Sequence, residues 1–235
     1  MSNQMSKQAL DVNDALAQSE AFAIKYKKQL IAGIVAVILV VGGTCGYIWG
    51  YQKPREDKAQ ELLGVVMQKY VMQQNFETAL KGEGKTAGLT KIADTYGSTK
   101  AGNVACYEAG FCYYQLGKTN EAIKYLEKFS PKSDNTVSAQ GLFLLANCYA
   151  NAKQLDKAVE TFKKAAKATD VPALCAEYLF QAGLILESQK KTDDALKLYQ
   201  DIKANYPSAP LCSRQMQNGV VMDAIIDKYI ARLAK

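Results

Sequence analysis

Ala109-Gly110-Phe111-Cys112-Tyr113-Tyr114-Gln115-Leu116-Gly117, followed by Asn120-Glu121-Ala122-Ile123, decides the fold of this chain because its pattern recurs. A second copy reads Leu145-Ala146-Asn147-Cys148-Tyr149-Ala150, then Leu155-Asp156-Lys157-Ala158-Val159. A third reads Ala182-Gly183-Leu184-Ile185-Leu186, then Thr192-Asp193-Asp194-Ala195-Leu196. Ala122, Ala158 and Ala195 follow one another at intervals of 36 and 37 residues. Twelve residues before each stands a small residue, Gly110, Ala146 or Gly183, and Leu126, Phe162 or Tyr199 stands four after. A small residue lets two helices cross closely, and a large apolar one fills the gap between neighbouring pairs. No run alternates with period two, so the chain is expected to be all-α, without a sheet.

The pattern resembles the tetratricopeptide repeat, a helix–turn–helix unit of ~34 residues. The longer period here falls in the loops between repeats. Tyr206-Pro207 matches the proline that usually ends a unit, with Asp134 and Asp170 in the corresponding places of the other copies. A degenerate unit is expected to precede the three clear ones. Ala59, Leu62, Leu63, Val66 and Tyr70 form one apolar stripe, and Leu89, Ile92 and Tyr96 form another. At the far end Met222, Ile225, Ile226, Tyr229, Ile230 and Leu233 make an amphipathic face suited to a capping helix, with Asp223, Asp227, Lys228 and Arg232 on its polar side. The expectation is an α-solenoid of about three clear repeats, a degenerate one and a cap.

Upstream, no charged residue occurs from Gln29 to Gln52, and Leu30–Trp49 is 20 residues of mainly Leu, Ile, Val, Ala and Gly. At ~1.5 Å per residue such a helix spans a hydrocarbon core of roughly 30 Å. Tyr26 precedes it and Tyr47, Trp49 and Tyr51 end it, as interfacial aromatics do. The run is longer than a cleaved signal core. Gly42 and Thr44 depart from the residues a lipoprotein signal places before its cysteine, here Cys45. The boundaries read as a short cytoplasmic head over 1–28, a transmembrane helix over 29–51, and a repeat domain over 54–235, with Pro54 opening a new helix. Lys25, Lys27 and Lys28 before the span balance Lys53, Arg55 and Lys58 after it, so charge leaves orientation open. A short head and a large following domain favour the N-terminus inside and the domain outside the cytoplasm. Gly42, Gly46 and Gly50 lie four apart, a spacing that lets a second helix approach.

The charge balance, 29 basic against 23 acidic residues, is spread along the chain rather than gathered into a nucleic-acid footprint. The chain has no histidine, which removes the commonest general base and metal ligand. Cys106, Cys112, Cys148, Cys175 and Cys212 show neither a C-x-x-C pair nor zinc spacing, and the shared register of Cys112 and Cys148 points to packing. Free thiols suit a reducing compartment, which counts against an outside domain. The carboxylates form no catalytic couple, and no glycine-rich phosphate loop occurs. No enzyme, metal, cofactor, nucleic-acid or small-molecule role is expected.

The first helix of each tetratricopeptide repeat lines the concave groove. That register places Val104, Tyr107, Phe111 and Tyr114 there from the first complete repeat, Gln140, Phe143, Asn147 and Ala150 from the second, and Glu177, Phe180, Leu184 and Glu187 from the third. Only Asn147 matches the Lys/Asn/Arg clamp by which some such domains hold a peptide C-terminus. An aromatic groove suits an apolar peptide or a partner's helix, with Tyr107, Phe111, Tyr114, Phe143, Asn147, Phe180 and Leu184 as the candidate contacts. The alternative is that a terminal helix folds back and fills it.

Taken whole, the order of head, span and repeats resembles the YfgM-like family, including Pro54-Arg55-Glu56 after the span and Tyr96-Gly97-Ser98-Thr99-Lys100-Ala101-Gly102. The resemblance implies a bacterial inner-membrane protein with a periplasmic repeat domain. It would be an accessory subunit of the Sec translocon, working with a membrane-anchored periplasmic prolyl isomerase chaperone on unfolded client chains. The rival expectation is a self-associating scaffold for envelope assembly or division.

Overall fold

The computed structural model describes residues 24–131, 136–217 and 220–234. Most of the expected head, and Asp134, lie outside them. The chain divides into two compact units, Met1–Pro54 and Arg55–Lys235.

In the first unit, α1 (Lys27–Tyr47) is apolar on every side, with Ile31, Val37, Ile38, Leu39 and Val40 all exposed. It is long and apolar enough to cross a membrane. Its hydroxyl is satisfied within the helix: Thr44 Oγ1 donates to the carbonyls of Val40 and Val41, each at 2.9 Å. At its end Tyr47 stacks on Tyr51, centroids 5.4 Å apart, and the Lys53 ammonium lies 4.3 Å over the Trp49 ring. A π-helical turn, Ile48–Gln52, follows, in which the Lys53 N–H reaches back to Ile48 O. Pro54 stands in the first turn of α2 (Lys53–Val66), as the sequence reading placed it, but the backbone before it is already helical, Lys53 lying at φ −63° and ψ −48°. A proline inside a helix lacks an N–H and crowds the carbonyl four residues back, and a wider turn before it relieves both.

The second unit begins with the rest of α2 (Lys53–Val66) and a π-turn, Met67–Val71. Ala59, Val66 and Tyr70 are buried as the stripe requires, Val66 and Tyr70 in a core with Leu89 and Ile92 of α4 (Leu89–Tyr96). Between them lie two features that periodicity did not show. One is α3 (Phe76–Lys81), whose N-terminus is capped by Asn75 Oδ1 accepting from the Thr78 N–H. The other is a small hairpin of β1 (Gly82–Glu83) and β2 (Thr86–Ala87), entered through Gly82 at φ +79°.

Three helix pairs follow: α5 (Lys100–Gln115) with α6 (Thr119–Leu126), α7 (Thr136–Asn151) with α8 (Leu155–Lys167), and α9 (Pro172–Ser188) with α10 (Thr192–Asn205). Each helix packs on the one before and the one after. Within each pair the connecting turn is the same. Gly117, Lys153 and Lys190 have φ of 70°, 60° and 61°, and the next residue's N–H bonds back to Tyr113, Tyr149 or Leu186. Ala122, Ala146, Ala158 and Ala195 are fully buried at the crossings. A Cβ on Gly110 would collide with the Leu126 side chain, and one on Gly183 with the Tyr199 ring. Gly110→Val is expected to cost about 1–3 kcal/mol through overpacking, read as a lower denaturant midpoint. An unchanged midpoint would mean that the helices can part there without loss.

After α10 come a 3₁₀ turn (Pro210–Cys212) and a second hairpin, β3 (Gln215–Gln217) against β4 (Val220–Met222). The expectation of no sheet is thus corrected twice, though each hairpin has only two strands. Met222 belongs to β4 rather than to the cap, which is α11 (Ile225–Leu233). Ile226 is fully buried, and Tyr229, Ile230 and Leu233 pack on the core of the last repeats. The all-α repeat solenoid closed by a capping helix is otherwise as read.

Candidate functional site

The candidate face is carried by α5, α7 and α9, the first helices of the three pairs. Tyr107, Phe111, Tyr114, Phe143, Asn147 and Leu184 are all half-buried. Tyr107 lies against Phe129, centroids 5.8 Å apart. Phe111 takes an edge-to-face contact from Phe76 of α3 at 6.0 Å. Phe143 is stacked on Tyr178 at 4.7 Å and meets Phe162 at 5.6 Å. Asn147 turns back along its own helix, Nδ2 donating to Phe143 O at 2.9 Å. A pocket of about 180 Å³ beside Val104 is lined by Lys100, Asn103, Phe129, Ser130, Val137 and Ser138.

The third repeat departs from the expectation. Phe180 is only 8% exposed, held between Tyr199 at 5.6 Å and Tyr229 of α11 at 4.8 Å. Glu187 accepts from the Tyr199 hydroxyl at 2.7 Å and pairs with Arg232 of α11 through both oxygens, at 2.8 and 2.6 Å. Phe180 is therefore core, covered by α11, which packs on the third pair as the next helix of the stack. The residues left half-exposed as a candidate surface come from the first two repeats and Leu184, with Phe111 partly covered by α3.

Charge divides between the helices. The inner ones carry Glu108, Glu177 and Glu187 against Lys100, whereas the outer ones carry Lys124, Lys157, Lys163, Lys164, Lys167, Lys197 and Lys203 with interspersed acids. Glu177 accepts from Gln181 Nε2 at 2.8 Å. Glu108 meets no donor or basic group among the described residues. Burial alone pushes its carboxyl from an ordinary 4.5 up to about 7. The sequence signal for it was weak, since one glutamate on a helix reads as solvated. Two larger clefts, of about 390 and 320 Å³, lie over α8 and α10 with Lys163 and Asp201 in both, and no spacing rule pointed to them.

All six cysteines are free. Burial drives the Cys112 thiol up to about 12 and Cys148 up to about 11, away from the thiolate needed for nucleophilic attack. Among the described residues no three acidic or thiol side chains gather as a metal site. On α1, a Cβ at Gly42 or Gly46 would meet nothing within 4 Å, and the same holds for Gly50 in the π-turn.

Stacked helix pairs with small residues at each crossing, an aromatic inner face and a polar-sided cap define an α-solenoid of the tetratricopeptide type. Residues 107–171 and 177–209 each match a tetratricopeptide-repeat family model, so the chain carries tetratricopeptide repeats over these residues. A crystal structure of kinesin-light-chain-type TPR-like repeats from Podospora anserina aligns at 16% identity over 76% of this chain and 85% of its own, with a TM-score of 0.50, a likeness of fold. Two crystal structures of MamA align at 19% and 16% identity, covering 65% and 70% of this chain and 79% and 90% of theirs, with TM-scores of 0.48 and 0.46. No curated protein matches the sequence. Tetratricopeptide repeats bind protein partners, and the coarse function follows: a protein-interaction module built on a fold that is typically non-enzymatic.

Proposed function

We propose that the chain is a membrane-anchored interaction module, held by α1 and presenting its repeats to other polypeptides on the periplasmic face of a bacterial inner membrane. Its partners would be Sec translocon subunits, a membrane-anchored periplasmic prolyl isomerase chaperone and unfolded client chains. The observation that carries the binding role is the half-buried row of Tyr107, Phe111, Tyr114 and Phe143 on the inner helices. Support for the anchor comes from the uniformly apolar α1 and its aromatic end. The particular partners rest on the order of head, span and repeats.

Crosslinking the tagged chain in intact membranes, followed by mass spectrometry, tests the assignment. Recovery of translocon subunits with a periplasmic chaperone supports it. Recovery of cytoplasmic proteins overturns it and inverts the topology. The double variant Tyr107→Ser/Tyr114→Glu should abolish capture while keeping the helical signal in far-UV circular dichroism, and undiminished capture would remove the inner face from the binding role. The open glycine face of α1 favours a second reading, a scaffold that self-associates in the membrane. Gly46→Leu should then dissociate oligomers in crosslinking gels, and unchanged oligomers would discard it.

A further inference from the structure

We infer that the inner face takes a segment of a partner protein in which a lysine or arginine stands among apolar residues, its cation seated on Glu108. This deepens the reading of α5, α7 and α9 as a polypeptide-binding face and rests on it. Three observations converge. Glu108 stands among Val104, Tyr107 and Phe111 on the inner side of α5, partly withdrawn from water, and no group among the described residues answers its charge. A half-buried carboxylate without a donor is unfavourable, and an arriving cation supplies what is missing. The other two inner-helix acids are already engaged, Glu177 by Gln181 and Glu187 by Tyr199 and Arg232, so Glu108 is the acid left open on these helices.

The chain itself shows the chemistry that settles against such a helix. Where α11 packs on the last repeat it offers apolar Ile226 and Ile230, an aromatic Tyr229, and Arg232, whose guanidinium pairs with Glu187 and lies 4.5 Å over the Tyr229 ring. At the end of the stack, a basic, aromatic and apolar helix is thus what the third pair accepts from its own sequence. On the half-exposed inner face of the first repeat the same elements stand: a carboxylate and flanking tyrosine rings that favour a cation. The charge division argues in the same direction, since on the inner helices an acidic partner would meet Glu108, Glu177 and Glu187 against the single Lys100.

The test uses the full 235-residue chain in detergent micelles and three fluorescein-labelled synthetic peptides, identical in their leucine- and phenylalanine-rich sequence except for a central lysine, norleucine or glutamate. In fluorescence anisotropy the lysine peptide should bind about tenfold more tightly than the norleucine peptide, and the glutamate peptide more weakly than either. Glu108→Gln should bring the lysine and norleucine affinities together, and Glu177→Gln should keep the preference. The proposal is overturned if wild type binds lysine and norleucine peptides equally, or if Glu108→Gln retains the discrimination. It is equally overturned if Glu177→Gln is the variant that removes it. If all three peptides bind alike and Tyr107→Ser/Tyr114→Glu abolishes them all, the inner face still binds polypeptide and only the cation assignment falls. If no peptide binds, both fall.

Discussion

Tyr199→Ala lowers the stability of the C-terminal repeats by about 3–5 kcal/mol, the range for emptying a large aromatic site in a packed core. Tyr199 is 0% exposed and lies where Gly183 has no side chain, so the ring fills a space that no neighbour can enter. Its ring meets Phe180 at 5.6 Å and Tyr229 at 5.4 Å, and its hydroxyl donates to Glu187. Truncation removes the packing between α9, α10 and α11 together. Tyr199→Phe keeps the ring and should cost only about 0.5–1.5 kcal/mol, because Arg232 still answers Glu187. Urea titration of both variants checks the pair. A loss below about 1 kcal/mol for the alanine variant would show that the repeats close over the gap, contrary to the range for such truncations.

Glu108→Gln makes the protein more stable at neutral and alkaline pH. Folding raises the carboxyl from an ordinary 4.5 to about 7. Between those values the folded chain keeps a proton that the unfolded chain has released. Stability from this group is therefore full at low pH and falls as pH rises through the window. A displacement of that size corresponds to about 3 kcal/mol at most, less to the extent that water reaches the group. Glutamine cannot ionise, so the variant should match the parent near pH ~4 and exceed it near pH ~8, other groups contributing equally to both. Thermal melts of the two proteins at both pH values decide it, and parallel pH profiles would show that Glu108 is well hydrated. Together with the expected loss of lysine-peptide preference, this makes Glu108 a position where the fold gives up stability at neutral pH and gains a contact for a cation.

The repeat architecture was legible because it rests on side-chain size at fixed spacing. Ala122, Ala158 and Ala195 had to be small for the helices to cross, and Leu126, Phe162 and Tyr199 had to be large, so the register could be read directly. Local irregularities were less legible. The short helix Phe76–Lys81 and the hairpin at Gly82 depend on a cap and a positive φ rather than on periodicity. Asn218-Gly219, outside the described residues, is a strong hairpin signal, but the apolar spacing of Met222 with Ile225 and Ile226 argued for helix. The candidate site was legible only in part. Register could nominate Phe180 together with Tyr107 and Phe143, but burial depends on what lies beyond the last repeat, and there Tyr229 covers it. Glu108 escaped because its significance lies in the lack of a partner, which one-dimensional spacing does not display.

The neighbour-to-neighbour packing of α5 through α11 bears on how the protein wears out. A stack in which each layer leans only on the adjacent ones has no central keystone, and it opens one layer at a time. Release of α11 bares Phe180 and Tyr199, which loosens α9 and α10, and the front then advances toward α7. A protease acting under native conditions would cut first between α10 and α11 and then between successive repeats, leaving fragments whose lengths differ by whole repeats.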